Sequence, residues 1–382
     1  MISKFIENYG EGEVRAFYSP GRVNLIGEHI DYSGGCVFPC AIELGTYGLV
    51  RKTCHDKINL ISADFPLKVT VGLNDLQYKK EDDWSNYPKG VISTMKNKGY
   101  KVGGMDILIK GNIPNGAGLS SSASLELLIG EMVNVLFNNR EISTIDLVKM
   151  AKETENEFIG VNCGIMDQFA VGMGKKNKGI LLNCDTLDYK YAKVDLKEYT
   201  LVIMNTKKRR ALSESRYNDR RNECESALKD IRSKKTVDYL CSLSKEEFKE
   251  VRDAIKDEAS RKRAQHAVYE NYRVKEAFKK LEEGNLIDFG KLLVESHNSL
   301  KDLYEVTGVE LDTIVFEALK IKGCIGARMT GAGFGGCAIA LVKKDRVLDF
   351  EKTLKEKYFN IIGYYPEFYV TNISEGTREI EL

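Results

Sequence analysis

Short apolar runs rich in β-branched residues characterise the first third of the chain and predict strands. Two such runs, 47–51 and 58–61, are bounded by Gly, Asn and Asp. Residues 105–110 show the alternation of a half-buried strand. Further strand candidates lie late in the chain, at 323–329, 337–342 and 367–373.

The middle of the chain has helical spacing instead. Five of the six prolines precede residue 115, and the sixth is Pro366. From 213 to 303 the sequence is rich in Glu, Lys, Arg, Ala and Leu, which predicts several amphipathic helices. Strands at both ends with helices between them predict an α+β fold. A chain of 382 residues suits two domains, and we place them at 1–200 and 201–382.

A glycine- and serine-rich loop joins the strand at 105–110 to an apolar helix. The loop reads GNIPNGAGLSSS over 111–122, and its serines stand where helix N-cap residues belong. Small residues let a backbone approach a polyphosphate, and the free N–H groups of a helix N-terminus attract anions. No Gly-Lys-Ser/Thr follows and the GxGxxG pattern is missing, so neither a P-loop nor a dinucleotide fold is indicated. We expect an anion site.

The net charge and the cysteine content limit the classes of partner and the kinds of site that we expect. Lys and Arg total 57 against 56 Asp and Glu, so no net field attracts nucleic acid or anionic lipid. No apolar run approaches the roughly 18 residues of a membrane span, and the first 14 residues lack the features of a signal peptide. The nine cysteines include no CxxC pair, which argues against disulfides and zinc. We expect a cytoplasmic protein with small-molecule substrates and no membrane partner.

Four segments together resemble the galactokinases of the GHMP kinase superfamily. The loop segment PNGAGLSSSAS (114–124) resembles the ATP-binding motif of the superfamily. Residues 19–32, SPGRVNLIGEHIDY, resemble the galactokinase N-terminal signature, and residues 329–337, MTGAGFGGC, resemble the third motif of the family. Residues 162–169, NCGIMDQF, are similar to the stretch that carries the catalytic aspartate. Motifs in this order are far more specific than any one alone.

The resemblance implies a fold and a reaction. The fold has an N-terminal domain with a left-handed βαβ crossover and a C-terminal α+β domain, with the active site between them. The reaction is the ATP-dependent phosphorylation of galactose at the C1 hydroxyl, the first committed step of galactose catabolism. The catalytic residues implied are Asp167 as the base and Arg22 as the cation that holds it ionised.

The same resemblance assigns the binding residues. Sugar recognition falls to Glu28, His29, Ile30, Asp31, Gly164 and Tyr217. ATP binding falls to Ser62 and to the loop residues Gly116, Ala117, Gly118, Leu119, Ser120, Ser121 and Ser122. Mg²⁺ binds hard oxygens, and the implied ligands are Ser122 and Glu155.

Two departures from the family pattern keep alternatives open. Ile30 stands where bacterial members have Thr, and Ser33 stands where they have Asn. The isoleucine form also occurs in relatives that act on N-acetylgalactosamine, so a kinase for that sugar or for galactosamine is one alternative. A galactose sensor without turnover is the other, although the serine loop and Asp167 are both present.

Overall fold

The computed structural model describes residues 1–114, 116–208 and 213–382, with 213–215 described by their backbone only. Its strands are β1 (Arg15–Asn24), β2 (Cys36–Val37), β3 (Pro39–Lys52), β4 (Lys57–Ser62), β5 (Lys68–Gly72), β6 (Met105–Gly111), β7 (Lys178–Asn183), β8 (Tyr189–Lys193), β9 (Tyr199–Asn205), β10 (Cys324–Thr330), β11 (Cys337–Lys343), β12 (Glu367–Thr371) and β13 (Arg378–Ile380).

The α-helices of the same ranges are α1 (Ile2–Tyr9), α2 (Asn86–Asn97), α3 (Ser121–Phe137), α4 (Thr144–Glu153), α5 (Met166–Met173), α6 (Ser213–Ile231), α7 (Lys245–Val251), α8 (Glu258–Glu282), α9 (Leu286–Ser299), α10 (Gly308–Leu319) and α11 (Val347–Ile362). Short 3₁₀ turns lie at Asp31–Ser33, Lys80–Ser85, Leu240–Ser242, Arg252–Ala254 and Lys344–Arg346, and π-helical turns lie at Thr154–Ile159 and Leu300–Tyr304.

The largest sheet has six strands in the order β13-β1-β3-β6-β4-β5. Its pairs are antiparallel except β4 with β6, which run parallel with β5 and α2 between them in sequence. Helices α3 and α5 pack against β1 and β3. Successive strand residues point to opposite faces, so Ile107 joins the main core whereas Leu108 packs with Phe5 of α1 on the other face. The sheet is therefore covered on both sides.

Two smaller sheets complete the fold. One is antiparallel throughout, in the order β10-β11-β9-β12, with α9 and α10 packed on β10. The other has the order β2-β7-β8, with α8 against β2 and β8. Strand β9 is buried along its whole length, as a central strand of apolar sequence should be.

The predicted elements are largely confirmed. The six strand candidates overlap β3, β4, β6, β10, β11 and β12, with 323 and 372–373 outside the observed strands, and the charged stretch from 213 forms helices. Strands β7, β8 and β9, which precede that stretch, were not singled out from the sequence. The mixed α and β architecture agrees with the predicted class. None of the described helices combines the length and apolarity needed to cross a membrane.

Candidate active site

An aspartate and an arginine form a two-point ion pair where three elements meet. Arg22 is buried on β1, and Asp167 lies in the first turn of α5. Arg22 Nε donates to Asp167 Oδ1 at 2.9 Å and its NH2 donates to Oδ2 at 2.8 Å. The third nitrogen, NH1, donates to the carbonyl of Gly118 at 2.8 Å. This fork fixes the carboxylate plane and attaches it to the glycine-serine loop.

The loop also holds the aspartate through a serine. Ser120 Oγ donates to Asp167 Oδ2 at 2.6 Å. Ser120 stands at the N-cap position of α3, but its φ of 62° is left-handed and its side chain makes no cap hydrogen bond. The predicted capping role is therefore wrong for Ser120, since its hydroxyl serves Asp167 instead. A left-handed non-glycine residue is strained and indicates that the surroundings hold it in place.

Asp167 opens onto a cavity of about 420 Å³, here called the first cavity. Four short segments supply its walls: the turn after β1, the stretches around 155 and 160–167, the start of α6, and the loop between β10 and β11. Its lining includes Arg22, Glu28, His29, Asp31, Tyr87, Ser122, Glu155, Asn162, Cys163, Gly164, Asp167, Tyr217, Asn218, Gly331 and Ala332. Most residues predicted to bind sugar are thus brought together.

Asp31 approaches the chain so closely that Gly164 must lack a side chain. A Cβ on Gly164 would lie 1.8 Å from Asp31 Oδ2, well inside van der Waals contact. Burial, together with the charges of Asp167 and Glu28, raises the pKa of Asp31 to about 6. This carboxyl is therefore expected to lose or gain its proton at a pH just below neutral.

Glu28 and His29 are both held by protein groups. Glu28 Oε1 accepts the N–H of Gly331 at 2.6 Å, and Oε2 accepts from Asn24 Nδ2. His29 Nε2 lies 3.1 Å from the carbonyl of Ala332, and Nδ1 lies 2.9 Å from Tyr32 Oη. Burial raises the pKa of Glu28 and lowers that of His29 to about 3, so the imidazole is neutral.

Ile30 is placed differently from its neighbours. It is fully buried, and it is not among the described residues that line the first cavity. Its side chain packs under Gly35, where an added Cβ would lie 2.8 Å from Ile30 Cδ1 and 2.9 Å from Cys241 Sγ. Tyr217, in contrast, lines the cavity with its ring centroid 5.5 Å from that of His29.

A second cavity of about 480 Å³ adjoins the first. Ser62, Trp84, Pro114, Ser121 and Ser122 contribute to its lining. Gly116, Ala117, Gly118, Leu119 and Ser120 are outside this lining among the described residues, and Asn115 of the same motif lies outside the described part of the chain. Ser122 and Tyr87 line both cavities. The two spaces therefore meet at the start of α3.

Ser122 and Glu155 face each other at this junction. Glu155 is buried in the π-helical turn Thr154–Ile159, a distortion common at functional sites. The Ser122 hydroxyl donates to its carboxylate, while burial raises the pKa of Glu155. A hydroxyl and a carboxylate are the hard oxygen donors that Mg²⁺ uses beside phosphates and waters. The pair suits a magnesium ion at the junction.

Comparison with known proteins assigns the chain to a family. The model of the galactokinase galactose-binding signature matches residues 3–52, and the models of the GHMP kinase N-terminal and C-terminal domains match 86–175 and 277–360. A galactokinase of Clostridium tetani is 61% identical over 380 residues, covering 100% of this chain and 97% of that protein. One of Clostridium beijerinckii is 53% identical over 383 residues, covering 100% and 98%. The chain belongs to the galactokinase family.

A solved galactokinase has the same fold. The crystal structure of Lactococcus lactis galactokinase complexed with galactose superposes with a TM-score of 0.96 at 49% identity, covering 99% of this chain and 98% of that one. The galactokinase fold therefore extends over both the signature region and the C-terminal sheet. Tyr217 is the one predicted site residue after residue 175, and it precedes the C-terminal match.

Some residues that line the two cavities of this protein were not singled out from the sequence. Tyr87 lines both cavities, and Gly331 and Ala332 form a wall of the first. Asn162 and Cys163 also line it. The sequence contained a signal for most of them, since four of these five residues lie within the motifs at 162–169 and 329–337. Which member of a motif faces a cavity depends on the local backbone, and motif spacing does not give that.

Proposed function

We propose that this protein is a galactokinase that transfers the γ-phosphoryl group of ATP to the C1 hydroxyl of D-galactose, giving galactose 1-phosphate and ADP. The observation that carries the proposal is the junction of two cavities at Ser122, with Asp167 on the first side of it. Phosphoryl transfer needs two substrates placed in line across such a point. The first cavity would hold the sugar and the second the nucleotide.

The first cavity offers the groups that a sugar requires. Asp31 can accept two hydroxyl hydrogen bonds, and Tyr217 supplies a ring wall with one O–H. Gly164 leaves its backbone close to Asp31. Glu28 and His29 complete the side of the cavity next to the loop that follows β10. We assign these five residues to the walls of the galactose cavity, and Ile30 to packing outside that lining.

The second cavity suits the nucleotide. Ser62 and Trp84 line its far side, and the polyphosphate would run along 116–122 toward the first turn of α3. The backbone N–H groups and the positive end of that 17-residue helix favour a phosphate there. Gly118 and Ser120 would act indirectly in this arrangement, since both hold the Arg22–Asp167 pair.

Asp167 accepts the proton of the C1 hydroxyl in our proposal. A guanidinium-bound carboxylate is a weak base, but the transition state of phosphoryl transfer is loose and demands positioning more than a strong nucleophile. Arg22 keeps the carboxylate charged and oriented, and it offsets negative charge on the transferring group. Ser120 completes the orientation from the loop side.

Ser122 and Glu155 would hold Mg²⁺. When bound, the ion neutralises charge on the phosphate oxygens and helps align them. The first cavity contains four carboxylates and, among the described residues, one arginine, so a polyanion entering beside it needs a compensating cation. With Ser122 and Glu155 as the protein ligands, phosphates and waters would supply the remaining oxygens that Mg²⁺ needs.

We further propose a cytoplasmic enzyme of two domains, 1–200 and 201–382, whose partners are its two small-molecule substrates. The balanced charge of +1 supports the absence of a nucleic-acid partner.

The test is ADP release from Mg-ATP with galactose, followed by NMR assignment of the phosphorylated carbon. We expect saturable release and phosphate on C1, with Asp167→Asn as the inactive control. Binding of galactose without ADP release would favour a sensor, and phosphate on another carbon would reject the proposed reaction.

One alternative within the family depends on Ile30. If Ile30 bordered the sugar at C2, N-acetylgalactosamine would be the better substrate. Its side chain is instead fully buried against Gly35, outside the lining of the first cavity. We therefore place galactose ahead of its amino derivatives.

A further inference from the structure

A continuous row of hydrogen bonds, here called the seam, joins the signature segment 19–32 to β10 and to the glycine-rich loop at 331–336 that follows it. Arg328 NH1 donates to the carbonyls of Asn24 at 3.1 Å and Leu25 at 3.2 Å. Thr330 Oγ1 accepts the N–H of Asn24 at 3.1 Å. The seam continues with side chains, because two consecutive residues of the signature hold two consecutive residues of the loop. The links of Asn24, Leu25 and Glu28 are buried, and that of His29 is partly buried.

The consecutive links are Glu28 to Gly331 and His29 to Ala332. Glu28 accepts the Gly331 N–H at 2.6 Å, and the His29 ring contacts the Ala332 carbonyl at 3.1 Å. Gly331 and Ala332 both line the first cavity. The position of that wall is therefore set by the two side chains that the family resemblance assigns to the sugar.

The hydrogen-bond partners fix the state of the His29 ring. A carbonyl can only accept, so Nε2 carries the proton and donates to Ala332. Nδ1 then accepts from Tyr32 O–H, whose oxygen lies 2.7 Å from Tyr304 Oη. Tyr304 is in turn 3.1 Å from Cys224 Sγ. Both ring nitrogens are thus used within the protein, which leaves neither free for a hydroxyl of the sugar.

The backbone of His29 is strained as well. Its φ of 61° is left-handed, which a buried non-glycine residue adopts only when its surroundings require it. The loop that it contacts is equally unusual, since Gly331, Gly333, Phe334, Gly335 and Gly336 all have positive φ. Such a loop has many alternative conformations without side-chain anchors.

We infer that His29 is a positioning residue, which fixes the Gly331–Ala332 wall of the first cavity through its Nε2–H rather than binding the sugar through a ring nitrogen. The kinetic part of this inference rests on the proposed function. The structural part does not, because every contact of the seam joins two groups of the protein itself.

The test compares three variants at His29. His29→Leu removes the donor, and His29→Asn keeps a residue that tolerates left-handed φ but is too short to reach Ala332. His29→Gln is the matched control, since its amide can place an N–H near the position of Nε2. Tyr32→Phe removes the Nδ1 partner, together with the hydrogen bond to Tyr304, and leaves the Nε2–H donor in place. Hydrogen exchange of residues 329–337 is measured without sugar, and kcat and KM are measured with Mg-ATP and galactose.

We expect exchange at 331–334 to accelerate in His29→Leu and His29→Asn, and the KM for galactose to rise about tenfold, the effect of one good hydrogen bond. The KM for ATP and the exchange of α8 should stay at wild-type values. His29→Gln and Tyr32→Phe should remain within about threefold of wild type. If His29→Leu does not fold, His29→Asn and His29→Gln still decide the matter.

Two results would overturn the inference. A raised KM for galactose with unchanged loop exchange would mean that the ring binds the sugar directly. Unchanged exchange and unchanged KM would mean that the contact with Ala332 has no effect. If the wild type does not phosphorylate galactose, the proposed function fails, while the exchange of the sugar-free variants still tests the positioning role.

Discussion

Arg22 and Asp167 are 145 residues apart in sequence and form a two-point ion pair with distances of 2.9 and 2.8 Å. The pair joins β1 to α5, and through Gly118 and Ser120 it also attaches to the loop before α3. The carboxylate that we propose as the base is thus connected to both the proposed nucleotide loop and the main sheet. Changes at this pair should affect turnover far more than binding.

Asp167→Asn should lower kcat by about 10²- to 10⁴-fold, because the amide cannot accept the hydroxyl proton and no longer pairs with Arg22. Calorimetry should still detect galactose binding. Ser120→Ala is the matched variant, since it removes one hydrogen bond to the same carboxylate and should cost much less. A near wild-type kcat in Asp167→Asn would exclude Asp167 as the base.

Ser122→Ala and Glu155→Ala should raise the Mg²⁺ concentration needed for half-maximal rate, because each removes an oxygen from a site with few protein ligands. Binding of galactose alone should barely change. Glu153→Ala, two residues earlier and paired with Lys98, is the control and should behave as wild type. An unchanged Mg²⁺ dependence in Glu155→Ala would contradict the assignment.

Galactose affinity should depend on pH through Asp31, whose pKa burial raises to about 6. The carboxylate is the form that accepts hydroxyl hydrogen bonds, so affinity is full above pH 6 and falls by about tenfold at pH 5. The effect of Asp31 on folding stability has the opposite sign. A carboxyl whose pKa is raised in the folded state stabilises the protein at low pH, and this contribution is lost as the pH rises through 6. Calorimetry without nucleotide checks the first statement.

Asp31→Asn provides the control for that titration. Its affinity for galactose should be low at every pH and should show no step near pH 6. A step that persists in this variant would assign the titration to another group, such as Glu28.

Asp83→Gly should stabilise the protein by about 1 kcal/mol, because Asp83 has φ 41° and ψ −122°, a conformation that costs a non-glycine residue roughly 1–3 kcal/mol. The cost of extra chain entropy in Gly offsets part of the gain. Asp83 is exposed, so little packing is lost. Asp83→Ala is the control for the side chain and should show no gain. Urea denaturation measures both, and an unchanged midpoint in Asp83→Gly would show that the turn relaxes.

The sequence allowed the fold class and half of the described residues that line the first cavity to be predicted, since both depend on motifs and periodicity. It could not show that Ser120 donates to Asp167, because a serine before a helix has the same local pattern whether it caps the helix or not. Nor did it indicate that β13 returns from the C-terminus to pair with β1. Pairing of distant strands depends on tertiary packing, and a three-residue strand has almost no periodicity.

Ile30 illustrates the same limit within the site. Its position between His29 and Asp31 suggested contact with the sugar, but the side chain turns into the core. Direction of a side chain in an irregular turn is set by backbone angles, and neighbouring residues can point to opposite sides. The boundary between the two domains near residue 200 stays a prediction.

The sugar selectivity of the purified enzyme tests the central claim most directly. With Mg-ATP, kcat/KM should be measured for galactose, glucose, galactosamine and N-acetylgalactosamine in the wild type and in Ile30→Thr. We predict that galactose exceeds glucose by at least about 10²-fold, because buried groups arranged for one set of hydroxyls are left unpaired by the epimer. Galactose should also exceed both amino sugars, with little change in Ile30→Thr. A preference for N-acetylgalactosamine, or ADP release that no sugar stimulates, would contradict the account.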